Sequence, residues 1–209
     1  MQLPNLPNSL TLVRIFLVPL LVVVLLTEFE GRQIFGVPKE LVGAAIFGLA
    51  SLTDWLDGYL ARRRKQITTL GQIMDPLADK LLTSAALLSL VQMELAPAWI
   101  VWIIIGRDFA VTGLRSLAYA RGIVIAASRL GKVKMVVEVV AILGLILGRV
   151  EAQSQLYVLY LIGQTALWIA VVTALASAAD YFRRFNLILS PRIADITFAR
   201  ERRGGRRAG

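Results

Sequence analysis

The chain has 209 residues, with 23 Lys and Arg against 14 Asp and Glu, a net charge of +9 and 57% hydrophobic residues. Its mean hydropathy of +0.68 and an apolar fraction above the ~50% of an ordinary soluble domain exclude a disordered chain and point to a membrane. Cys and His are both absent, which excludes disulfides, thiolate nucleophiles, Ser–His–Asp triads and Cys- or His-ligated metals. What remains is chemistry on carboxylates, Lys, Arg, hydroxyls and oxygen-bound hard cations such as Mg²⁺ or Mn²⁺.

Six apolar segments follow in chain order: Leu10–Leu26, Leu41–Ala61, Pro76–Met93, Leu95–Leu114, Gly131–Gly148 and Leu156–Ala179. Each is near the ~20 residues that cross a ~30 Å hydrocarbon core. None alternates with period two, so helices are predicted and barrel strands are not. No Lys or Arg precedes Arg14, so the basic start of a signal peptide is missing and the first segment is predicted to be a retained helix.

Orientation follows from the basic residues. The second link opens with Arg62, Arg63, Arg64 and Lys65. The fourth carries Arg121 and Arg129, with Lys132 and Lys134 just beyond. The tail after segment six is dominated by Arg. The odd links instead hold Glu28, Glu30, Arg32, Lys39 and Glu40, then Glu94, then Arg149 and Glu151. This alternation predicts an all-α integral membrane protein with six transmembrane helices and both termini in the cytoplasm. Most of the positive charge then reports topology, and nucleic acid is not needed to explain it. One membrane domain over residues 1–190 is expected, with a basic, mobile cytoplasmic tail over 191–209 able to meet anionic lipid.

Four carboxylates stand out against this background. An Asp at the centre of a membrane helix costs at least ~2.5–3.5 kcal/mol. Asp54 and Asp57 fall late in segment two; Asp75 and Asp79 fall early in segment three. Spacings of three and four residues put each pair on one helical face. Asp75 precedes Pro76, which suits an N-cap or a distorted first turn. Four converging carboxylates repel unless cations compensate them, and one or two divalent ions bridged by Asp oxygens are the economical solution. Pairing with Arg62–Lys65 and Lys80 is the plain structural alternative. Gly58 and Ala61, on the Asp54 face, and Gly71, four residues before Asp75, leave room beside the carboxylates or serve close helix packing.

Together, Asp54, Asp57, Gly58, Ala61, Arg62, Gly71, Asp75 and Asp79 stand at the spacing of a known signature. It resembles that of the CDP-alcohol phosphotransferase family at all eight positions. The resemblance implies the six-helix fold of that family and a site at the cytoplasmic membrane face holding two Mg²⁺ or Mn²⁺ ions. It implies metal binding by Asp54, Asp57, Asp75 and Asp79, with Asp79 also the general base. Gly58, Ala61, Arg62 and Gly71 would line the CDP pocket. A homodimer is implied as well.

The second half bears on the acceptor. Arg107 lies within an apolar segment, Arg115 two turns on, and Lys132 and Lys134 head the next. Asp108 can neutralise only one of these cations, and the surplus predicts an anion pocket, most simply for a phosphate. Snorkelling to the interface is the alternative and suits Lys132 and Lys134. Asn8, Thr11 and Arg14 are placed to reach the site from helix one, or Asn8 to cap it. Trp99, Trp102 and Trp168 read as interfacial or lipid-facing anchors.

The run Gly106-Arg107-Asp108, the later Leu114-Arg115 and Ser128-x-x-Gly131-Lys132-x-Lys134 resemble the bacterial phosphatidylglycerophosphate synthases. Asp108, Met135 and Glu138 depart from the Glu, Thr and Gln expected there. This resemblance implies CDP-diacylglycerol as donor, sn-glycerol 3-phosphate as acceptor, and a multi-pass protein of the bacterial inner membrane with its site facing the cytoplasm. Inositol phosphate or phosphatidylglycerol as acceptor is the alternative within the reaction class, and a divalent-metal transporter the alternative outside it.

Overall fold

The structure, a computed structural model, describes residues 6–28, 33–64, 69–120, 129–150 and 156–189. The expected tail, 191–209, lies outside these residues. Six helices form among them: α1 (Leu6–Leu26), α2 (Lys39–Arg64), α3 (Thr69–Gln92), α4 (Ala98–Ala120), α5 (Arg129–Leu147) and α6 (Leu156–Leu189). Each contains one of the six apolar segments apart from a few terminal residues: Met93 after α3, Leu95–Pro97 before α4 and Gly148 after α5. By length and composition, one stretch among the described residues, Tyr157–Arg183 of α6, is long and apolar enough to cross a membrane. Thr11–Leu26 is a shorter apolar run of the same kind.

The helices extend beyond several apolar runs because polar residues continue them. Asp75 was expected at an N-cap or in a first turn. Instead α3 begins at Thr69, and Asp75 and Pro76 lie more than a turn inside it. Residues 69–74 supply the first turns, so Asp75 is carried on regular helix.

Between α1 and α2 runs a small antiparallel hairpin, β1 (Gln33–Ile34) with β2 (Val37–Pro38). Its turn residues Phe35 and Gly36 have φ of 51° and 79°, the pair of positive angles that a two-residue type I′ turn requires. Helix α3 ends differently. Leu95 N–H donates to Leu90 O at 2.9 Å and Glu94 N–H to Val91 O at 3.0 Å, with Glu94 left-handed at φ 60°. This is a Schellman cap with Glu where Gly is usual.

Packing places α1 on α2 and α3, α5 on α6, and α4 on α6, while α3 also touches α4 and α5. The core where these meet is apolar: Leu21, Phe47, Leu87, Ile104, Ile142 and Leu167 are among its buried side chains. Helices α5 and α6 pack most closely. A Cβ added at Gly144 would lie 2.8 Å from Gly163 Cα, and one added at Gly148 would lie 2.6 Å from Tyr160 Cα. Gly144-x-x-x-Gly148 is thus a contact face that only glycine fits.

The perimeter is apolar too. Phe16 and Val23 on α1, Leu49 on α2, Leu88 on α3, Val136 on α5 and Val172 on α6 all point outward. Trp99, Trp102 and Trp168 are also exposed, and the rings of Trp99 and Trp168 meet edge to face at 5.7 Å. A bundle apolar inside and out, with its polar residues gathered between helices, is built for a nonpolar solvent.

Candidate active site

Helices α2 and α3 are joined by only four residues, so they run as antiparallel neighbours, and they touch. Asp54 lies ten residues before the end of α2, and Asp79 ten after the start of α3. Asp57 and Asp75 lie seven and six residues from the same ends. At 1.5 Å per residue these are depths of about 15 Å and about 10 Å. The four aspartates therefore fall in two layers, each with one residue from each helix.

Of the four, only Asp79 has a described side chain; it is partly buried. The side chains of Asp54, Asp57, Gly58, Ala61, Arg62, Gly71 and Asp75 lie outside the described residues, although their backbone is helical. No cluster of three possible metal ligands occurs among the described residues. The donor set is all oxygen, which matches hard divalent cations and not thiophilic ones.

Facing α3 is a buried ionic cluster on α4, α5 and α6. Arg107 Nη1 donates to Asp108 Oδ1 at 2.8 Å, and Arg107 Nη2 donates to the Ser177 hydroxyl. Lys134 Nζ pairs with Asp108 Oδ2 at 2.5 Å and with Glu138 Oε2 at 2.8 Å. Arg115 Nη2 donates to the Tyr181 hydroxyl at 2.8 Å, and its guanidinium carbon sits 5.3 Å from the centre of that ring. Helix α3, which carries Asp79 and Lys80, packs against both α4 and α5.

Asp108, with its single negative charge, contacts both Arg107 and Lys134. A second carboxylate, Glu138, shares Lys134, because four residues along α5 bring it one turn above. The snorkelling alternative does not describe Lys134, whose side chain is 3% exposed and held between carboxylates. The side chain of Lys132 lies outside the described residues. The balance among described groups is still cationic, with Arg107, Arg115 and Lys134 against Asp108 and Glu138. Three N/O atoms of this cluster are buried without a hydrogen bond: Arg107 Nε, Arg115 Nε and Glu138 Oε1.

On α1, Thr11 and Arg14 are both buried, at 2% exposure, on the helix that packs against α2 and α3. The side chain of Asn8 lies outside the described residues. Glu138, Ser177 and Tyr181 were not singled out as site residues from sequence. Ser177 and Tyr181 are four residues apart on apolar α6, a polar pair on one face, and that spacing was the available signal.

Known proteins share this arrangement of sequence. The model of the CDP-alcohol phosphatidyltransferase family matches residues 4–178. A Bacillus subtilis protein named CDP-diacylglycerol–glycerol-3-phosphate 3-phosphatidyltransferase is 45% identical over 185 residues, covering 86% of this chain and 94% of its own. A Rickettsia felis protein of the same name is 34% identical over 179 residues, covering 86% and 94%. A Mycobacterium tuberculosis protein named probable phosphatidylglycerophosphate synthase is 41% identical over 141 residues, covering 68% and 65%. With a match over most of its length, the chain belongs to the CDP-alcohol phosphatidyltransferase family.

Proposed function

We propose that this chain transfers the phosphatidyl group of CDP-diacylglycerol to sn-glycerol 3-phosphate, giving phosphatidylglycerophosphate and CMP. The names of its relatives support the two substrates. The observation that carries the reading is the packing of α3, which bears Asp79, against α4 and α5, which bear the cationic cluster.

The mechanism follows from these positions. Arg107 and Arg115 hold the acceptor's phosphate by charge-assisted hydrogen bonds, with Lys132 and Lys134 adding positive charge. The acceptor's terminal hydroxyl then lies toward α3. Asp79 takes its proton as the oxygen attacks the phosphorus that bears diacylglycerol. A new P–O bond forms, the bond to the bridging oxygen breaks, and that electron pair leaves on the phosphate of CMP. Gly58, Ala61, Arg62 and Gly71 line the CDP side, where small residues let the donor approach the backbone. Asn8, Thr11 and Arg14 border the site from α1. Asp54, Asp57, Asp75 and Asp79 would hold two Mg²⁺ or Mn²⁺ ions, which would supply charge neutralisation on the diphosphate. All of this needs neither His nor Cys.

We place the protein in a bacterial cytoplasmic membrane as six spans, with both termini and the site on the cytoplasmic side and two copies forming a homodimer. The outward apolar residues on the helices and the basic even-numbered links support the spans.

One assay tests the reaction. Purified protein is given CDP-diacylglycerol, Mg²⁺ and a panel of acceptors, and CMP and lipid product are measured. Glycerol 3-phosphate is expected to be the preferred acceptor. Asp79→Asn should lower turnover by at least about 100-fold, the lower end of what a positioned base contributes. Full turnover by that variant would remove Asp79 from its role.

A further inference from the structure

We propose that Glu138 determines acceptor specificity by accepting a hydrogen bond from the acceptor's second, non-attacking hydroxyl. This rests on the acceptor named above. Glu138 is 4% exposed. One of its oxygens, Oε2, is bound to Lys134 at 2.8 Å, whereas Oε1 is buried and has no hydrogen-bond partner. A buried carboxyl oxygen left unmet costs the desolvation of a polar group. Lys134 does not cancel this cost, because Asp108 engages the same ammonium.

The neighbouring unmet groups have the opposite sense. Arg107 Nε and Arg115 Nε are buried N–H donors without acceptors. Phosphate oxygens satisfy donors, but a phosphate dianion has no hydrogen to offer Oε1. A small molecule carrying a phosphate and a hydroxyl satisfies both kinds at once. The contacts also have an order. Helix α3, which carries Asp79, packs against α5, which carries Glu138, Lys134 joins Glu138 to Asp108, and Asp108 joins Arg107. Base, lone carboxylate oxygen and cation thus succeed one another, as attacking hydroxyl, second hydroxyl and phosphate succeed one another along a three-carbon acceptor. A trapped water would also satisfy Oε1, but would make no distinction between acceptors.

The test uses the purified full chain with CDP-diacylglycerol and Mg²⁺. It compares glycerol 3-phosphate with 3-hydroxypropyl phosphate, which keeps the phosphate and the terminal hydroxyl and lacks the middle one. The wild type should favour glycerol 3-phosphate in kcat/KM by at least about tenfold, as expected for a site that hydrogen-bonds a substrate hydroxyl. Glu138→Met, similar in length and without an acceptor oxygen, should bring that ratio to within about twofold. The ratio compares two substrates on one sample, so loss of folded protein does not alter it. Should Glu138→Met fail to fold, Glu138→Leu, which also lacks an acceptor oxygen, must still lower the ratio. An unchanged ratio in the folded variant overturns the assignment, as does a wild type that does not discriminate. No CMP from the wild type with either acceptor would overturn the functional reading itself, and this assignment with it.

Discussion

At the scale of the residue, the informative side chains are charged groups held where lipid would be. Arg115 is the clearest case. Its guanidinium donates to the Tyr181 hydroxyl at 2.8 Å and lies against the ring, so one residue of α6 fixes it by a hydrogen bond and by cation–π attraction. Tyr181→Phe keeps the ring and removes the oxygen. If Arg115 holds the acceptor phosphate, the KM for glycerol 3-phosphate should rise roughly threefold to tenfold, the worth of one hydrogen bond, with kcat less affected. Initial rates over a range of acceptor concentrations measure this, and an unchanged KM would place the phosphate elsewhere. The four aspartates stand out in the sequence because acid in an apolar run is rare, and the helices set their backbones in two layers. The partners of the buried cations were not legible from sequence. Glu138 is read as a departure in sequence, and only the turn of α5 shows that it shares Lys134 with Asp108. Ser177 and Tyr181 lie more than sixty positions from the arginines they bind, and sequence alone cannot bring together groups so far apart.

At the scale of the element, all six helices were legible, since each is an apolar run long enough to identify without periodicity. Their ends were less so. Apolar length marks where lipid starts, whereas a helix continues as long as its hydrogen bonds do, and α3 therefore begins at Thr69 and not beside Pro76. Helix pairing was not legible, apart from the short α2–α3 link. The closest contact, α5 on α6, depends on Gly144, Gly148 and Gly163, and no hydrophobic pattern singles it out. A Cβ at Gly163 would meet Leu145 N at 2.6 Å, and backbone cannot move aside as a flexible side chain can. Gly163→Ala should therefore cost about 1–3 kcal/mol, the usual range for overpacking. Gly48 is the control, since a Cβ there meets only Leu143 Cδ2 at 4.0 Å. Thermal unfolding in detergent should show a lower midpoint for Gly163→Ala and a small change for Gly48→Ala. Equal midpoints would mean that α5 and α6 can separate at little cost. Because Ser177 and Tyr181 ride on α6 and Lys134 and Glu138 on α5, this contact also sets the distance across the ionic cluster.

At the scale of the whole molecule, topology and chemistry make one demand. In the proposed reaction the acceptor is a small polar anion, which requires the cationic cluster to open to an aqueous side, and the donor is a lipid, which requires the aspartates to lie near a membrane face. In the fold, Thr27 and Lys39 join α1 to α2 through a 3.0 Å hydrogen bond. Arg149, beyond α5, donates to Met93 O at the end of α3, and Gln164 donates to Leu95 O at 2.8 Å. These contacts tie together the links that are poor in basic residues. The aspartates, Arg115, Lys134 and Tyr181 lie toward the other ends of the helices, near the basic links, with Arg107 and Glu138 at mid-helix. Six spans require residues 33 and 98 on one side of the membrane and residues 116 and 183 on the other; all four positions are exposed. The chain has no cysteine of its own, so Gln33→Cys, Ala98→Cys, Ser116→Cys and Arg183→Cys each introduce a single thiol. In intact cells, a membrane-impermeant maleimide should label the first two, and should reach the other two only after permeabilisation. Labelling of residues 33 and 183 from the same side would leave an odd number of crossings out of the count. It would also move the basic tail to the face opposite the one on which the acceptor must arrive.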